Sequence, residues 1–274
     1  MSPDLAEIAE AEARGRTARI YAEIRAAFGL PIVNLVYRAL AASGDLEAVW
    51  GELAPNLRDG SVVSAAAELV GHGTPPQGGE IPPAALKAAG VDDTLRQQAL
   101  TTIDAYVYAN PVNLVAVSAL LEPGRASTPS AAAGNDRPFR DWQLLPMADL
   151  ADLDPRVRAL LDEMSRPLTA PGRELLVPSL FRHFAGHSCL LALLWTSIAP
   201  AVRSGEVTRA ADIVLSHGRE AAKRLPHPVN RLEEPGARDL LKRFQFTIAR
   251  MIVLSVLMRR ALRPERSRPE HASS

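Results

Sequence analysis

WTSIAPAVRSGEVTRAADIV (195–214) aligns without a gap on WGELAPNLRDGSVVSAAAEL (50–69). Trp50/Trp195, Ala54/Ala199, Pro55/Pro200, Arg58/Arg203, Gly60/Gly205 and Val62/Val207 coincide at a constant offset of 145, as do two alanines. Alanine-rich helices resemble one another through composition alone, but Trp, Ala-Pro, Arg and Gly in one fixed spacing mark a repeated unit. The chain reads as two copies of one helical unit, with the functional site expected where the copies meet.

Working outward, apolar residues recur at helical spacing over 9–28 (Ile20, Ile24, Phe28), with Gly29 as a stop. Pro31 is expected to open a second helix carrying Ile32, Leu35, Val36 and Leu40. Gly44-Asp45 breaks it, and 46–58 follows as a helix bent near Pro55. Gly60 suits the left-handed position after a helix end, and Ser61 caps the next helix, to about residue 70. Residues 72–83 form a loop, and helices are expected over 84–89 and 92–107, leading into the apolar stretch 106–121. The second half repeats this order with helices over 154–164, 179–191, 193–203, 206–224 and 237–262. No convincing strand alternation occurs, so the expected fold is all-α: two pseudo-symmetric helical repeats packed around a central pocket. The divisions are a first repeat over 1–121, a Pro/Gly/Ser-rich linker over 122–142, a second repeat over 143–262 and a disordered tail over 263–274.

Composition narrows the partners. The 274 residues are 47% hydrophobic but only 5% aromatic, which fits an Ala/Leu/Val-filled helical interior. Lys+Arg and Asp+Glu stand at 31 each and no basic stripe appears, so nucleic acid is not an expected partner. Cys189 is the only cysteine, which rules out a disulfide framework and Cys-rich metal sites. The first residues lack the apolar core of a secretory signal, and no apolar run approaches the 18–20 residues or so that span a bilayer. The expectation is a cytoplasmic protein with no membrane association, no metal and no cofactor, taking a small molecule, and with a homodimer left open.

Polar residues in apolar helices supply the site candidates. Asn110 shares a helical face with Ile103, Tyr106, Asn113 and Leu114 and precedes Pro111. It either satisfies the backbone around the proline or faces a ligand, because a buried amide without partners is costly. Arg250 is the only charge in FQFTIARMIVLSVLM (244–258) and falls opposite Asn110 at offset 140. A guanidinium there needs an anion: a structural carboxylate, a ligand carboxylate or solvent beside Arg243. His183 and His187 stand at metal-ligand spacing near Cys189, but no acidic or further histidine ligand lies close in sequence.

IYAEIRAAFGLPIVNLVYRALA (20–41), YANPVNLVAVSALLE (108–122), LLPMADLADLDPRVRALLDEM (144–164), LLALLWTSIAPAV (190–202) and FQFTIARMIVLSVL (244–257) resemble, in order and spacing, the group I 2-haloacid dehalogenases. These belong to the wider alkylhydroperoxidase-D-like helical group. The resemblance implies two pseudo-symmetric helical repeats and hydrolytic dehalogenation of short 2-haloalkanoic acids of either hand. In that reaction an aspartate activates water for direct attack, and an asparagine helps hold the water. Asn110 falls on the family's asparagine; Ile32 and Leu35, with Pro31, fall on the pocket segment, with aliphatic side chains where the family has aromatic ones.

The aspartate has no counterpart. Its neighbourhood corresponds to PGRELLVPSLFRHFAGHS (171–188), where Leu176, Ser179 or Leu180 takes its place depending on the gap. Glu174 is the only carboxylate between Met164 and Gly205. The hydrolytic reading therefore assigns Asn110 and Glu174 as catalytic. Arg250, Tyr106, Ile32, Leu35, Ser179 and Leu180 are its substrate-binding residues, with Arg250 anchoring the carboxylate. The alternative is a non-catalytic small-acid-binding or structural protein on the same scaffold. A third reading gives the pocket other chemistry through Tyr106, Tyr108 or the His183/His187/Cys189 group.

Overall fold

The computed structural model describes residues 5–72, 79–122 and 142–263, and among them there is no β-strand. The expected linker over 122–142 and tail over 263–274 fall almost wholly outside the described residues. The first half contains α1 (Gly15–Phe28), α2 (Leu35–Ser43), α3 (Leu46–Arg58), α4 (Ser61–Ala67), α5 (Leu69–His72), α6 (Pro83–Ala88) and α7 (Asp93–Leu121). The second contains α8 (Pro155–Ser165), α9 (Ser179–Phe184), α10 (Ser188–Arg203), α11 (Glu206–Ala222) and α12 (Pro235–Leu262). None of the described helices is long and apolar enough to cross a membrane.

The two long helices α7 and α12 pack along each other at the centre, and α4 and α11 lie against them. From Ala109 to Leu121 every residue of α7 is buried, as is every residue of α12 from Thr247 to Met258. Helices apolar on all sides are core helices. Van der Waals contact is close here: a side chain at Gly218 of α11 would meet Leu114 of α7 at 2.9 Å.

The segments that align in sequence carry the same local contacts. Trp50 Nε1 donates to Glu23 at 2.6 Å, and Arg58 pairs with the same carboxylate at 2.7 Å. Trp195 Nε1 donates to Glu163 at 3.0 Å, and Arg203 approaches that carboxylate at 3.5 Å. Pro55 and Pro200 both lie inside their helices. Gly60 and Gly205, at φ 83° and 76°, both hold the left-handed turn before the next helix, where a side chain is strained.

Several expected boundaries shift. The first helix starts at Gly15 rather than residue 9, and residues 5–14 form an irregular strap tied to the body. In the strap Ile8 N donates to the Arg38 carbonyl at 3.1 Å, and Glu10 accepts from Val33 N at 2.8 Å. The helix expected from Pro31 begins only at Leu35. The stretches over 92–107 and 106–121 are one 29-residue helix, continuous through Pro111. The expected helix over 179–191 is instead interrupted at residues 185–187.

Candidate functional site

A cavity of about 50 Å³ opens between the middles of α7 and α12, the start of α2 and the segment entering α9. Its apolar wall comes from Leu35, Val36, Leu176, Pro178, Leu180, Phe244, Ile248 and Met251. Its polar wall is Asn34, Tyr106, Asn110, Asn113, Ser179 and Thr247. The size and mixture suit a ligand of a few heavy atoms with an apolar tail and a polar head.

Each polar group is placed by its element. Asn110 sits one residue before Pro111, and the proline has no N–H for the Val107 carbonyl. Asn113 follows about one turn later and so shares the face. Asn34 stands at the N-terminal boundary of α2, and Ser179 is the first helical residue after Pro178. All three amides are buried, and Asn34 Oδ1, Asn110 Nδ2 and Asn113 Oδ1 have no hydrogen-bond partner. Three such groups around one hollow point to a polar occupant, because buried amides are rarely left unmatched.

Behind Ser179 and Tyr106 runs a connected polar network. Arg38, 2% exposed, donates from Nη2 to Ser179 Oγ at 3.0 Å, and its Nη1 lies 3.0 Å from Glu7 Oε2. Arg182 pairs with the other Glu7 oxygen at 2.6 Å and donates from Nε to the Ala148 carbonyl. Tyr106 and His183 Nε2 are 3.1 Å apart, while His183 Nδ1 bonds the Leu145 carbonyl. A carbonyl only accepts, so Nδ1 carries the proton and Nε2 accepts from the phenol. Burial first, then the two arginines, push the His183 pKa down to about 4, so the ring is neutral near pH 7. Burial likewise raises the Tyr106 hydroxyl, which stays protonated.

Of the residues singled out in sequence, Asn110, Tyr106, Leu35, Ser179 and Leu180 line this one cavity, together with Leu176. Ile32 packs half-buried against the core and is not among the lining residues. Glu174 does not reach the cavity: its side chain is 53% exposed and lies 3.9 Å from Arg243. Arg250 faces elsewhere, its guanidinium 3.4 Å over the Phe246 ring and 4.0 Å from Asp212 on α11. His183 has both ring nitrogens occupied, and no cluster of His, Cys, Asp or Glu among the described residues is arranged to hold a metal ion.

Sequence reasoning missed Arg38, Arg182 and Glu7. Arg38 carried a local signal, since it interrupts a run of α2 residues that are all buried from Leu35 to Leu40. Glu7 carried none: its partners lie 31 and 175 positions away.

No family model matches the chain, and no significant match exists among curated proteins. Solved structures do match. A D-2-haloacid dehalogenase in complex with L-LA aligns with a TM-score of 0.78 at 17% identity, covering 96% of this chain and 99% of that one. A mutant D-2-haloacid dehalogenase aligns at 0.76 and 16% identity, over 96% and 98% of the two chains. A mutant in complex with D-2-CPA aligns at 0.72 and 18%, over 94% and 97%. The chain therefore has, over nearly its whole length, the all-helical fold of the D-2-haloacid dehalogenases.

Proposed function

We propose that this protein binds a short-chain carboxylic acid in the cavity between α7 and α12 and does not hydrolyse carbon–halogen bonds. The observation that carries the reading is the chemistry of the wall: among the described lining residues there are amides and hydroxyls but no carboxylate. Attack of water on a saturated carbon needs a base within about 3 Å of that water. Leu176, Ser179 and Leu180 line the cavity from the segment to which the family resemblance would assign the base, and leucine cannot accept a proton. Glu174 faces Arg243 and solvent, and both Glu7 oxygens lie against guanidinium groups.

The acid's tail would rest against Leu35, Leu180, Ile248 and Met251, and its head would meet Asn110, Asn113 and Ser179. No cofactor is required for such binding. We further propose that the halves are copies of one unit, on the strength of the matched Trp–Glu–Arg contacts.

The test incubates pure protein with each enantiomer of 2-chloropropionate and follows melting temperature and free chloride in the same sample. Binding without turnover raises the melting temperature and leaves chloride at the buffer level; Asn110→Leu removes the rise and Glu174→Gln does not. Chloride release that is lost in Glu174→Gln would establish the hydrolytic reading instead.

A further inference from the structure

The polar network behind the cavity is not electrically balanced. Arg38 and Arg182, both buried, share the single carboxylate of Glu7. Glu10 is committed to Arg25 at 2.6 Å and to the Val33 amide. His183 is neutral and Tyr106 protonated. One positive charge is therefore left over beside the cavity, and a buried charge without a full partner is unfavourable.

The hydrogen bonds say where that surplus lies. Glu7 Oε2 stands 3.0 Å from Arg38 Nη1 without an aligned hydrogen bond, and Arg38 Nε has no partner at all. Arg182, by contrast, is engaged at 2.6 Å by Glu7 and at 3.1 Å by the Ala148 carbonyl. The under-neutralised guanidinium is thus Arg38, and its best hydrogen bond, at 3.0 Å, goes to Ser179 Oγ on the cavity wall. That oxygen accepts from Arg38 and gives its own proton to the Tyr106 oxygen, whose hydrogen goes to His183, so a group in the cavity meets a hydroxyl held on both sides with a cation directly behind it.

Resting on the small-acid reading above, we propose that Arg38 sets the charge preference of the cavity. It acts through Ser179 to favour a carboxylate over an uncharged carboxamide of the same shape, and Glu7 is the internal anion that competes with the ligand for it. Nothing in the apolar wall distinguishes these two head groups, and of the unmatched amide atoms only Asn110 Nδ2 can donate to a carboxylate, while Asn34 Oδ1 and Asn113 Oδ1 accept from a carboxamide. A preference for the carboxylate therefore falls to the nearest unbalanced charge.

Calorimetric titration of the full chain with sodium propionate and with propionamide, at matched ionic strength, tests this. The expected result is binding of propionate about tenfold tighter than propionamide. Arg38→Met brings the two ligands to equal affinity by weakening propionate alone. Glu7→Gln moves the ratio the other way, by a further tenfold or so, because the competing anion is gone. A change that merely loosened the fold would weaken both ligands together. Equal affinities in the unmodified protein, or a ratio that Glu7→Gln leaves unchanged, would overturn the assignment of Arg38 while leaving the cavity as a binding site. Failure of both ligands to bind would overturn the small-acid reading as well. Should Arg38→Met not fold, Glu7→Gln, which keeps the cation, decides the matter alone.

Discussion

Asn110 on α7 and Arg250 on α12, which the sequence alignment sets opposite each other, are both buried on the central helices, yet they meet opposite fates. Asn110 borders the cavity with an amide hydrogen donor that nothing satisfies. Arg250 turns away, lays its guanidinium on the Phe246 ring, donates to the Phe246 carbonyl at 3.2 Å and points toward an exposed Asp212. Burial lowers its pKa, but the cation keeps an aromatic face and the opposing charge of Asp212. A polar residue in an apolar helix therefore marks a site only when it is left unmatched beside a cavity. The stronger anomaly in sequence, a lone charge, keeps local partners for its ring-facing side and Nη1, and its unmatched Nε lies away from the cavity.

The comparison is sharpened by breaking the buried charges in turn. Glu7→Gln strands Arg38 and Arg182 together, so urea unfolding should show a loss of about 3 kcal/mol. Arg250→Met keeps an apolar contact with Phe246 but loses the cation over its ring, the bond to its carbonyl and a weak ion pair, so the same measurement should show a loss of about 1 kcal/mol, well below that of Glu7→Gln.

His183 supplies a pH-dependent effect of comparable size. Its folded pKa of about 4 lies below the ordinary value of 6.5, so between those pH values the unfolded chain binds a proton that the folded chain refuses. Stability is then full above pH 6.5 or so and falls as pH drops toward 4, by about 3 kcal/mol at most. His183→Gln should flatten the unfolding free energy across that window, while leaving a smaller, pH-independent loss from the Leu145 contact.

Asn110→Leu removes an unmatched amide and should stabilise the free protein by about 1 kcal/mol while abolishing stabilisation by 2-chloropropionate. Of similar size are the losses on Trp50→Phe and Trp195→Phe, each about 1–2 kcal/mol. If the matched contacts are equivalent, the two losses agree; a large disparity would show that one copy has been reassigned.

Much of this architecture was legible in the residues. The 195–214 and 50–69 alignment located α3–α4 and α10–α11, and glycine before Ser61 and Glu206 fixed where their second members start. Asn110 stood out because an amide in an apolar helix must either serve the backbone around the proline or face a ligand. What could not be read was long-range. Residues 9–14 looked like helix because their alanines and glutamates favour one, yet Glu10 is drawn into long-range pairs with Arg25 and the Val33 amide, and Glu7, just before them, with Arg38 and Arg182. Tertiary charge pairing overrode local propensity there. The same pairing hid the site's principal cation, since Arg38 acquires its meaning only when Glu7 and Ser179 arrive from distant parts of the chain.

The most direct measurement is a single-turnover experiment with protein in molar excess over 2-chloropropionate, with bound ligand and free chloride quantified over time. A cavity that holds the acid but lacks a base predicts that the ligand is recovered intact and that chloride never rises above the blank. Release of one chloride for each bound molecule would contradict it.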